Sequence, residues 1–445
     1  MQQVNTTLLP LLLERREKTF TADGGYRSCW PEDTLRQYAH LIGRSGIIKE
    51  LERSHHDPFS LLQVQVAHLR AALGKGRGVT KVLRSACVGR GMTEAQARAS
   101  ALGEAVERYS GIFRGDEFRI KASYQELSDN AIHPKACMNF SPNQYRDRDR
   151  WNRKEAEYNW VPEPFDEERE IEWTPVWSLT QQRFKYLATA FCYFGYPHSA
   201  EHDFCRPDSN GNAAGNNLEE AILHGFLEVV ERDSVALWWY NQALRPDVRL
   251  ESFGEEYFQA IVEFYRLLGR QIHVFDISAD FPIPTFAATS SGKEGDADLL
   301  LGFGSHLEPR IGIARAITEM NQSLVPTPRK MPRFYIGELL DNAFLQPSSS
   351  SVLKVQSDYS EPESHDLRED LMSCVEFARD RGLEILVLDQ TRADIRMPAV
   401  KVIVPGMRSW WARFGPGRLY QVPIEMGWQA VPLREEQLNP CHLII

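Results

Sequence analysis

Two segments of this chain carry the same acidic pattern, and this repetition most constrains how the chain can fold. The pattern Glu-x-Val-Glu-Arg-x-Ser occurs at Glu104–Ser110 and again at Glu228–Ser234. Successive residues of a helix are about 100° apart, so the two glutamates of each pattern share one face. The surrounding residues are mostly apolar, which predicts helices that are buried around most of their circumference. The fold must therefore bury two helices that each carry a pair of carboxylates.

Capping residues predict where the long helices begin. Thr93, followed three residues later by Gln96, is typical of a capping box. The asparagines that end at Asn217 supply side chains that can cap a second helix. The predicted helices cover about Thr93–Tyr109, Asn217–Asn241 and Arg310–Leu324.

Runs of β-branched and aromatic residues predict strands between these helices. The predicted strands are Val82–Val88, Glu172–Leu179, Phe184–Phe191, Gln271–Ile277, Leu299–Phe303, Glu384–Leu388 and Ala399–Val404. Strands interspersed with long helices predict an α+β fold with mixed sheets, in which the long helices carry the candidate site.

The remaining segments are predicted to lack long regular elements. Residues 1–60 are expected to be helical and loop-rich, residues 133–170 a long surface excursion, and Pro347–Glu361 a flexible loop. Gly89-Arg90-Gly91 is expected to form a turn between the first strand and the first helix. We expect residues 1–78 to be an N-terminal attachment and residues 79–445 to form the domain that carries the candidate site, with a flexible loop near residues 347–361.

Composition excludes several functional classes. The chain has 445 residues, 51 Lys plus Arg against 61 Asp plus Glu, and no long basic block, which argues against a nucleic-acid partner. Its seven cysteines are scattered and none forms a CxxC pair, as expected in a reducing cytoplasm. The apolar run Leu8–Leu13 is too short to span a bilayer, so no membrane association is predicted.

The helix faces predict a site for cations and anions. Glu220, Glu228 and Glu231 fall within an arc of about 80° with Arg232 at its edge, by helical spacing. Arg315, Glu319 and Gln322 share a face of the third helix, and Ser100 shares a face with Glu104 and Glu107. A single acidic stripe is typical of a solvated helix face. Several carboxylates on largely apolar helices instead favour Mg²⁺ together with the phosphates of a nucleotide.

Three motifs in order make the chain recognisable. Ser100–Gly111, Asn210–Asp233 and Arg315–Glu319 closely resemble the YcaO family. The resemblance runs from about Arg84 to the C-terminus. Val404-Pro405-Gly406 and the stretch Pro416–Pro423 resemble the azoline-forming branch, the cyclodehydratases of thiazole/oxazole-modified microcins of the streptolysin S type.

The resemblance implies a YcaO-like fold and an ATP- and Mg²⁺-dependent peptide cyclodehydratase. Such enzymes transfer phosphate to a backbone amide oxygen of a ribosomal precursor peptide, so that a Cys, Ser or Thr closes an azoline ring. By resemblance Mg²⁺ is held by Glu104, Glu107, Glu228 and Glu231. The residues implied in nucleotide binding are Glu104, Asn216, Glu220, Arg232, Arg315 and Glu319, with Ser100 and Gln322 as further members. The four metal-binding glutamates and Arg232 are the implied catalytic residues.

Two departures from the family pattern qualify the resemblance. The family's usual Gly-Lys-Gly is Gly89-Arg90-Gly91 here, and Arg and Lys differ in geometry. The alternating prolines that commonly end the azoline branch are replaced by Leu438–Ile445. A role of the C-terminus in catalysis is therefore left open.

The resemblance also implies partners. No leader-binding domain is recognisable in the first 80 residues, which implies a separate leader-binding or activating protein. A flavin-dependent azoline dehydrogenase would complete azole formation, and pairing with a second copy of the chain is left open. Two alternatives remain at this stage: thioamide or amidine formation at the same nucleotide site, and a non-catalytic scaffolding subunit.

Overall fold

The structure, a computed structural model, describes residues 8–20, 26–54, 61–70, 86–154, 159–197, 203–292, 298–325, 334–335, 343–347, 353–360 and 364–443. Among these residues the α-helices are α1 (Pro31–Gln37), α2 (Glu94–Ser110), α3 (Tyr124–Leu127), α4 (Pro134–Met138), α5 (Pro142–Arg146), α6 (Arg148–Asn152), α7 (Thr189–Cys192), α8 (Leu218–Asn241), α9 (Glu256–Leu267), α10 (Pro309–Asn321), α11 (Leu367–Asp380) and α12 (Arg418–Glu425).

The strands in the described residues form four sheets, in which neighbouring strands pair antiparallel. They are β1 (Thr19–Phe20), β2 (Tyr26–Arg27), β3 (Ile48–Arg53), β4 (Gln63–Leu69), β5 (Cys87–Gly91), β6 (Ile120–Ala122), β7 (Ile171–Ser178), β8 (Arg183–Ala188), β9 (Asn212–Ala214), β10 (Gln271–Asp276), β11 (Thr285–Ser291), β12 (Asp298–Ser305), β13 (Phe334–Tyr335), β14 (Leu386–Asp389) and β15 (Ala399–Ile403).

Helix α8 lies between the two larger sheets. The six-stranded sheet has the order β6-β7-β14-β15-β9, with β8 paired to β7, and the four-stranded sheet has the order β10-β11-β12-β13. Helix α8 packs against β15 and β9 on one side and against β12 and β11 on the other. Of its 24 residues, 21 are buried, which confirms the prediction of a helix that is buried all round.

Helices α2 and α10 pack closely on strands because those strands contain glycine. A Cβ atom on Gly89 of β5 would lie 2.1 Å from backbone atoms of α2. A Cβ atom on Gly302 of β12 would lie 2.2 Å from a carbonyl oxygen of α10. Only glycine permits these approaches, which bring the polar faces of the helices next to the strands.

The predicted caps of the long helices are present. The Thr93 hydroxyl accepts a hydrogen bond from the backbone N–H of Gln96 at 3.2 Å. In a capping box the Gln96 side chain would accept a hydrogen bond from the N–H of the cap residue, Thr93. It accepts instead from the N–H of Met92, one residue earlier, at 2.7 Å. The Asn217 side chain caps α8 by accepting from Glu220 N–H at 2.8 Å.

Local patterns misassigned Gly89-Arg90-Gly91. These residues lie in strand β5 and pair with β4, where Arg90 is opposite Val64, rather than forming a turn. The glycines serve the close packing of α2, which a local pattern cannot distinguish from a turn. The predicted strand Val82–Val88 lies largely outside the described residues, and the observed strand is Cys87–Gly91.

The first 60 residues contain more sheet than predicted. Strands β1, β2 and β3 lie there beside α1, and β3 is stabilised by pairing with β4. Strands β3, β4 and β5 form one sheet that continues across the predicted boundary between residues 78 and 79. The residues at that boundary lie outside the described set, and the division into an attachment and a catalytic domain stays a prediction.

Two segments expected to be loops are packed against the rest of the chain. The segment 133–170 contains α4, α5 and α6, and Met138, Phe140 and Val161 are buried in a core cluster, so it is not a surface excursion. Part of Pro347–Glu361 lies outside the described residues. Its part 353–360 is anchored, because the Tyr359 hydroxyl donates to Asp276 at 3.2 Å.

None of the described helices combines the length and the apolar character that a membrane crossing needs.

Candidate functional site

Helices α2 and α8 bring the two acidic patterns together. Burial raises the pKa of the Glu107 carboxyl well above its usual value, and the nearby carboxylates of Glu228 and Glu104 raise it further. Burial likewise raises the pKa of Glu228. Carboxylates that are distant in sequence therefore lie close together, in a region where the Glu104 and Glu228 side chains are 25% and 29% exposed.

Helix α10 adds Glu319 to this region, close to Glu231 of α8. The Glu231 carboxylate accepts a hydrogen bond from Ser305 N–H at 3.1 Å, and Glu319 accepts one from Phe303 N–H at 2.9 Å. Both donors lie on β12, so one strand holds two carboxylates side by side. Burial raises the pKa of Glu231 to about 8, and the adjacent Glu319 adds to this shift.

Four arginines lie among these glutamates. Arg90 is 3.4 Å from Glu319 and Arg232 is 2.8 Å from Glu228, while Arg108 pairs with Glu104. The fourth, Arg315, donates to the carbonyl of Ser305 at 3.1 Å. Burial lowers the pKa of Arg315 to about 9, and the nearby Arg27 lowers it too. Arg90 and Arg27 were not among the predicted site residues.

Arg232 is held in an unusual environment. Its side chain is buried, yet its Nε and Nη1 atoms have no hydrogen-bond partner. Its guanidinium lies 4.3 Å from the ring centroid of Trp410 and 5.5 Å from that of Trp411. Two buried donors are therefore free to bind an anionic ligand.

The N-terminal end of α8 is completed by the first residues of the chain. Glu220 accepts hydrogen bonds from the backbone N–H and the hydroxyl of Ser28, at 3.0 and 2.6 Å. Asn216 donates to Glu220 at 3.1 Å and accepts from the Thr34 hydroxyl at 2.9 Å. Arg27 contacts His224 one turn further along α8. No sequence pattern pointed to Ser28 or Thr34.

The two further predicted members lie at different depths. Ser100 is exposed, one helical turn before Glu104. Gln322 is buried in the short 3₁₀ helix Gln322–Leu324 that follows α10, and its amide nitrogen has no hydrogen-bond partner.

The chemistry of the site fits a cation and an anionic ligand. As the side chains stand, no three acidic, His or Cys residues in the described part of the chain are arranged to hold a metal ion. Arginines or backbone N–H groups instead engage Glu104, Glu228, Glu231 and Glu319. Burial, and after it the neighbouring carboxylates, raise the pKa values of Glu107, Glu228 and Glu231, and a divalent cation would compensate this negative charge. The unpaired donors of Arg232 and Gln322 fit phosphate oxygens.

A family model decides the assignment. The model for the YcaO cyclodehydratase, described as ATP- and Mg²⁺-binding, matches residues 88–408, well over half of the chain. The chain belongs to the YcaO family. The α+β fold and the azoline-type resemblance predicted from the sequence are confirmed, and the prediction of ATP and Mg²⁺ agrees with the description of the family.

Solved structures agree with this assignment. A heterocyclase solved in complex with substrate and cofactor is 48% identical to this chain, with a TM-score of 0.91. The match covers 98% of this chain and 59% of the heterocyclase chain. The heterocyclase TruD is 43% identical, with a TM-score of 0.77, and the match covers 98% of this chain and 56% of the TruD chain. This YcaO chain thus spans less than two thirds of the length of both heterocyclases.

A third structure supports the fold alone. YcaO from Methanopyrus kandleri, bound with AMPPCP and Mg²⁺, is 20% identical with a TM-score of 0.64, covering 90% of this chain and 98% of its own. The shared fold therefore extends to a protein whose sequence has diverged strongly.

Proposed function

We propose that this YcaO chain is the catalytic part of an ATP- and Mg²⁺-dependent cyclodehydratase that converts Cys, Ser or Thr of a ribosomal precursor peptide to azolines. The observation that carries the proposal is the meeting of both Glu-x-x-Glu-Arg patterns and Glu319 in one buried region, beside the unpaired donors of Arg232.

The reaction removes one water for each ring. The substrate side chain loses its S–H or O–H proton and attacks the preceding carbonyl carbon, which forms a new C–S or C–O bond and leaves the carbonyl oxygen as an oxyanion. ATP supplies the phosphoryl group that makes the former carbonyl oxygen a good leaving group. Phosphate then departs as the amide nitrogen loses its proton and forms the C=N bond.

The glutamates would hold the metal and the arginines the phosphates. Glu104, Glu107, Glu228 and Glu231 are the proposed Mg²⁺ ligands. For Glu107, Glu228 and Glu231, a bound cation would supply the positive charge that a retained proton supplies in the metal-free protein, which suits their raised pKa values. The proposed nucleotide contacts are Glu104, Asn216, Glu220, Arg232, Arg315, Glu319, Ser100 and Gln322, to which the geometry adds Arg27, Ser28, Thr34 and Arg90.

A partner that binds the leader segment of the precursor peptide completes the proposed activity, in the cytoplasm. Holding a peptide on a short flexible tether gives an effective concentration of about millimolar. A flavin-dependent dehydrogenase would then oxidise azolines to azoles.

The test combines phosphate release with mass spectrometry of the precursor peptide. With ATP, Mg²⁺ and the leader-binding partner, we expect phosphate release that depends on the peptide and the loss of one water per ring. The chain alone at micromolar peptide should be nearly inactive. Sulfur incorporation in place of water loss would indicate thioamide formation, and the absence of phosphate release with the partner present would indicate a scaffolding subunit.

A further inference from the structure

The segment between β15 and α12 is tied to helix α8 beside Arg232. Arg418, at the first position of α12, donates to both carboxylate oxygens of Asp233, at 2.6 and 3.2 Å, and to Asp280 at 2.6 and 2.9 Å. The backbone N–H of Arg408 donates to Asp233 at 2.7 Å. We call Arg418, Asp233, Asp280 and Arg408 the arginine clamp.

The arginine clamp lies next to Arg232, the arginine that we propose contacts the nucleotide. Asp233 directly follows Arg232 in α8, and its side chain is only 1% exposed. Between the two arginines of the clamp lies Trp410, whose carbonyl oxygen accepts a hydrogen bond from the Tyr240 hydroxyl at 2.8 Å. The segment is therefore fixed at both ends and near its middle, and its indole ring rests on the guanidinium of Arg232.

An aromatic face holds an arginine differently from a second carboxylate. A ring attracts the guanidinium plane but leaves its N–H edge without a partner, whereas a carboxylate would occupy that edge. While Nη2 of Arg232 pairs with Glu228, its Nε and Nη1 atoms keep unpaired N–H donors in a buried position. The long side chain is thus ordered in advance without losing the donors that a phosphate needs.

We propose that Trp410 is a positioning residue that presents Arg232 to the nucleotide, and that Arg418 acts through Trp410 by fixing its segment against Asp233. This inference rests on the proposed nucleotide site. It also gives a role, through Arg418, to the stretch Pro416–Pro423. The chemistry proposed at the glutamates does not involve that stretch.

The test measures binding of a non-hydrolysable ATP analogue with Mg²⁺ to the full chain by calorimetry, together with the melting temperature. We expect Trp410→Leu to raise the dissociation constant about tenfold and Trp410→Phe to restore most of the affinity. Trp177→Leu is the matched control, because Trp177 is another buried indole, and its ring centroid lies 4.9 Å from that of Phe184 in a T-shaped arrangement. It should lower the melting temperature without changing the affinity.

The role of Arg418 is tested by coupling. Arg418→Lys keeps the charge but loses the planar fork, and should weaken nucleotide binding about threefold to tenfold. If Arg418 acts through Trp410, the variant that combines Trp410→Leu with Arg418→Lys should bind the ATP analogue no more weakly than Trp410→Leu alone. Additive losses would overturn that route, and unchanged affinity in Trp410→Leu would overturn the role of Trp410. Failure of the unmodified chain to bind the analogue would instead overturn the proposed nucleotide site.

Discussion

Replacing Glu231 with Gln should stabilise the metal-free protein while it abolishes turnover. Burial and the neighbouring Glu319 raise the pKa of Glu231 from 4.5 to about 8. The folded state therefore holds a proton that the unfolded state releases between these two pH values. Stability that is present below pH 4.5 is lost as the pH rises to about 8.

The size of this loss follows from the shift in pKa. Each unit corresponds to about 1.4 kcal/mol, so Glu231 lowers the free energy of unfolding by about 1 kcal/mol at pH 5 and about 4 kcal/mol at pH 8. Glu231→Gln removes this titration. Its amide oxygen keeps the position that accepts the Ser305 N–H bond, so little packing is lost.

Urea unfolding at pH 5 and pH 8 with a chelator present measures the difference. The variant should gain stability over the unmodified chain at pH 8 and much less at pH 5, and its phosphate release should fall to background. Glu376→Gln, at an exposed position of α11, is the control and should change neither quantity. Equal or lower stability of Glu231→Gln at pH 8 would refute the reasoning, and cyclisation at the unmodified rate would refute the metal-ligand assignment.

Three smaller predictions concern groups around the glutamates. Lys401 is 1% exposed and donates hydrogen bonds to several oxygen atoms. Lys401→Met should therefore lower the free energy of unfolding by about 3–5 kcal/mol in a urea titration, and an unchanged midpoint would contradict this. Thr34→Val removes the hydroxyl that binds Asn216 and should weaken nucleotide binding about fivefold by calorimetry, whereas equal affinity would exclude such a role. The positive charge of Arg90 lowers the pKa of Glu231, so Arg90→Ala should move the pH midpoint of Mg²⁺-dependent phosphate release upward, and a downward shift would contradict it.

The sequence was informative where the physical cause is local. The caps at Thr93 and Asn217 lie within three residues of the groups that they bind, and both long helices begin where predicted. The resemblance to the YcaO family rests on contiguous motifs, and the family match confirms it. The roles of the individual site residues stay predictions.

The features that were missed depend on partners far away in the chain. Arg90 was assigned to a turn because two glycines flank it, but pairing with β4 and the ion pair with Glu319 hold it in a strand. Ser28 and Thr34 reach α8 across more than 180 residues, and no local pattern encodes such contacts. The contact of Trp410 with Arg232 likewise depends on the tertiary fold.

The N-terminal segment that reaches α8 has a consequence for how the protein becomes competent to bind. Groups from Arg27 to Trp410 meet at one place, so the site has a high contact order and closes only after almost the whole chain has been synthesised. Bound nucleotide should therefore slow hydrogen exchange at the backbone amides that exchange only through global unfolding. It should not change the exchange of amides in surface helices that exchange by fraying. A ribosome-bound chain that lacks the region after β15 should have no affinity for nucleotide, even with both acidic helices already made.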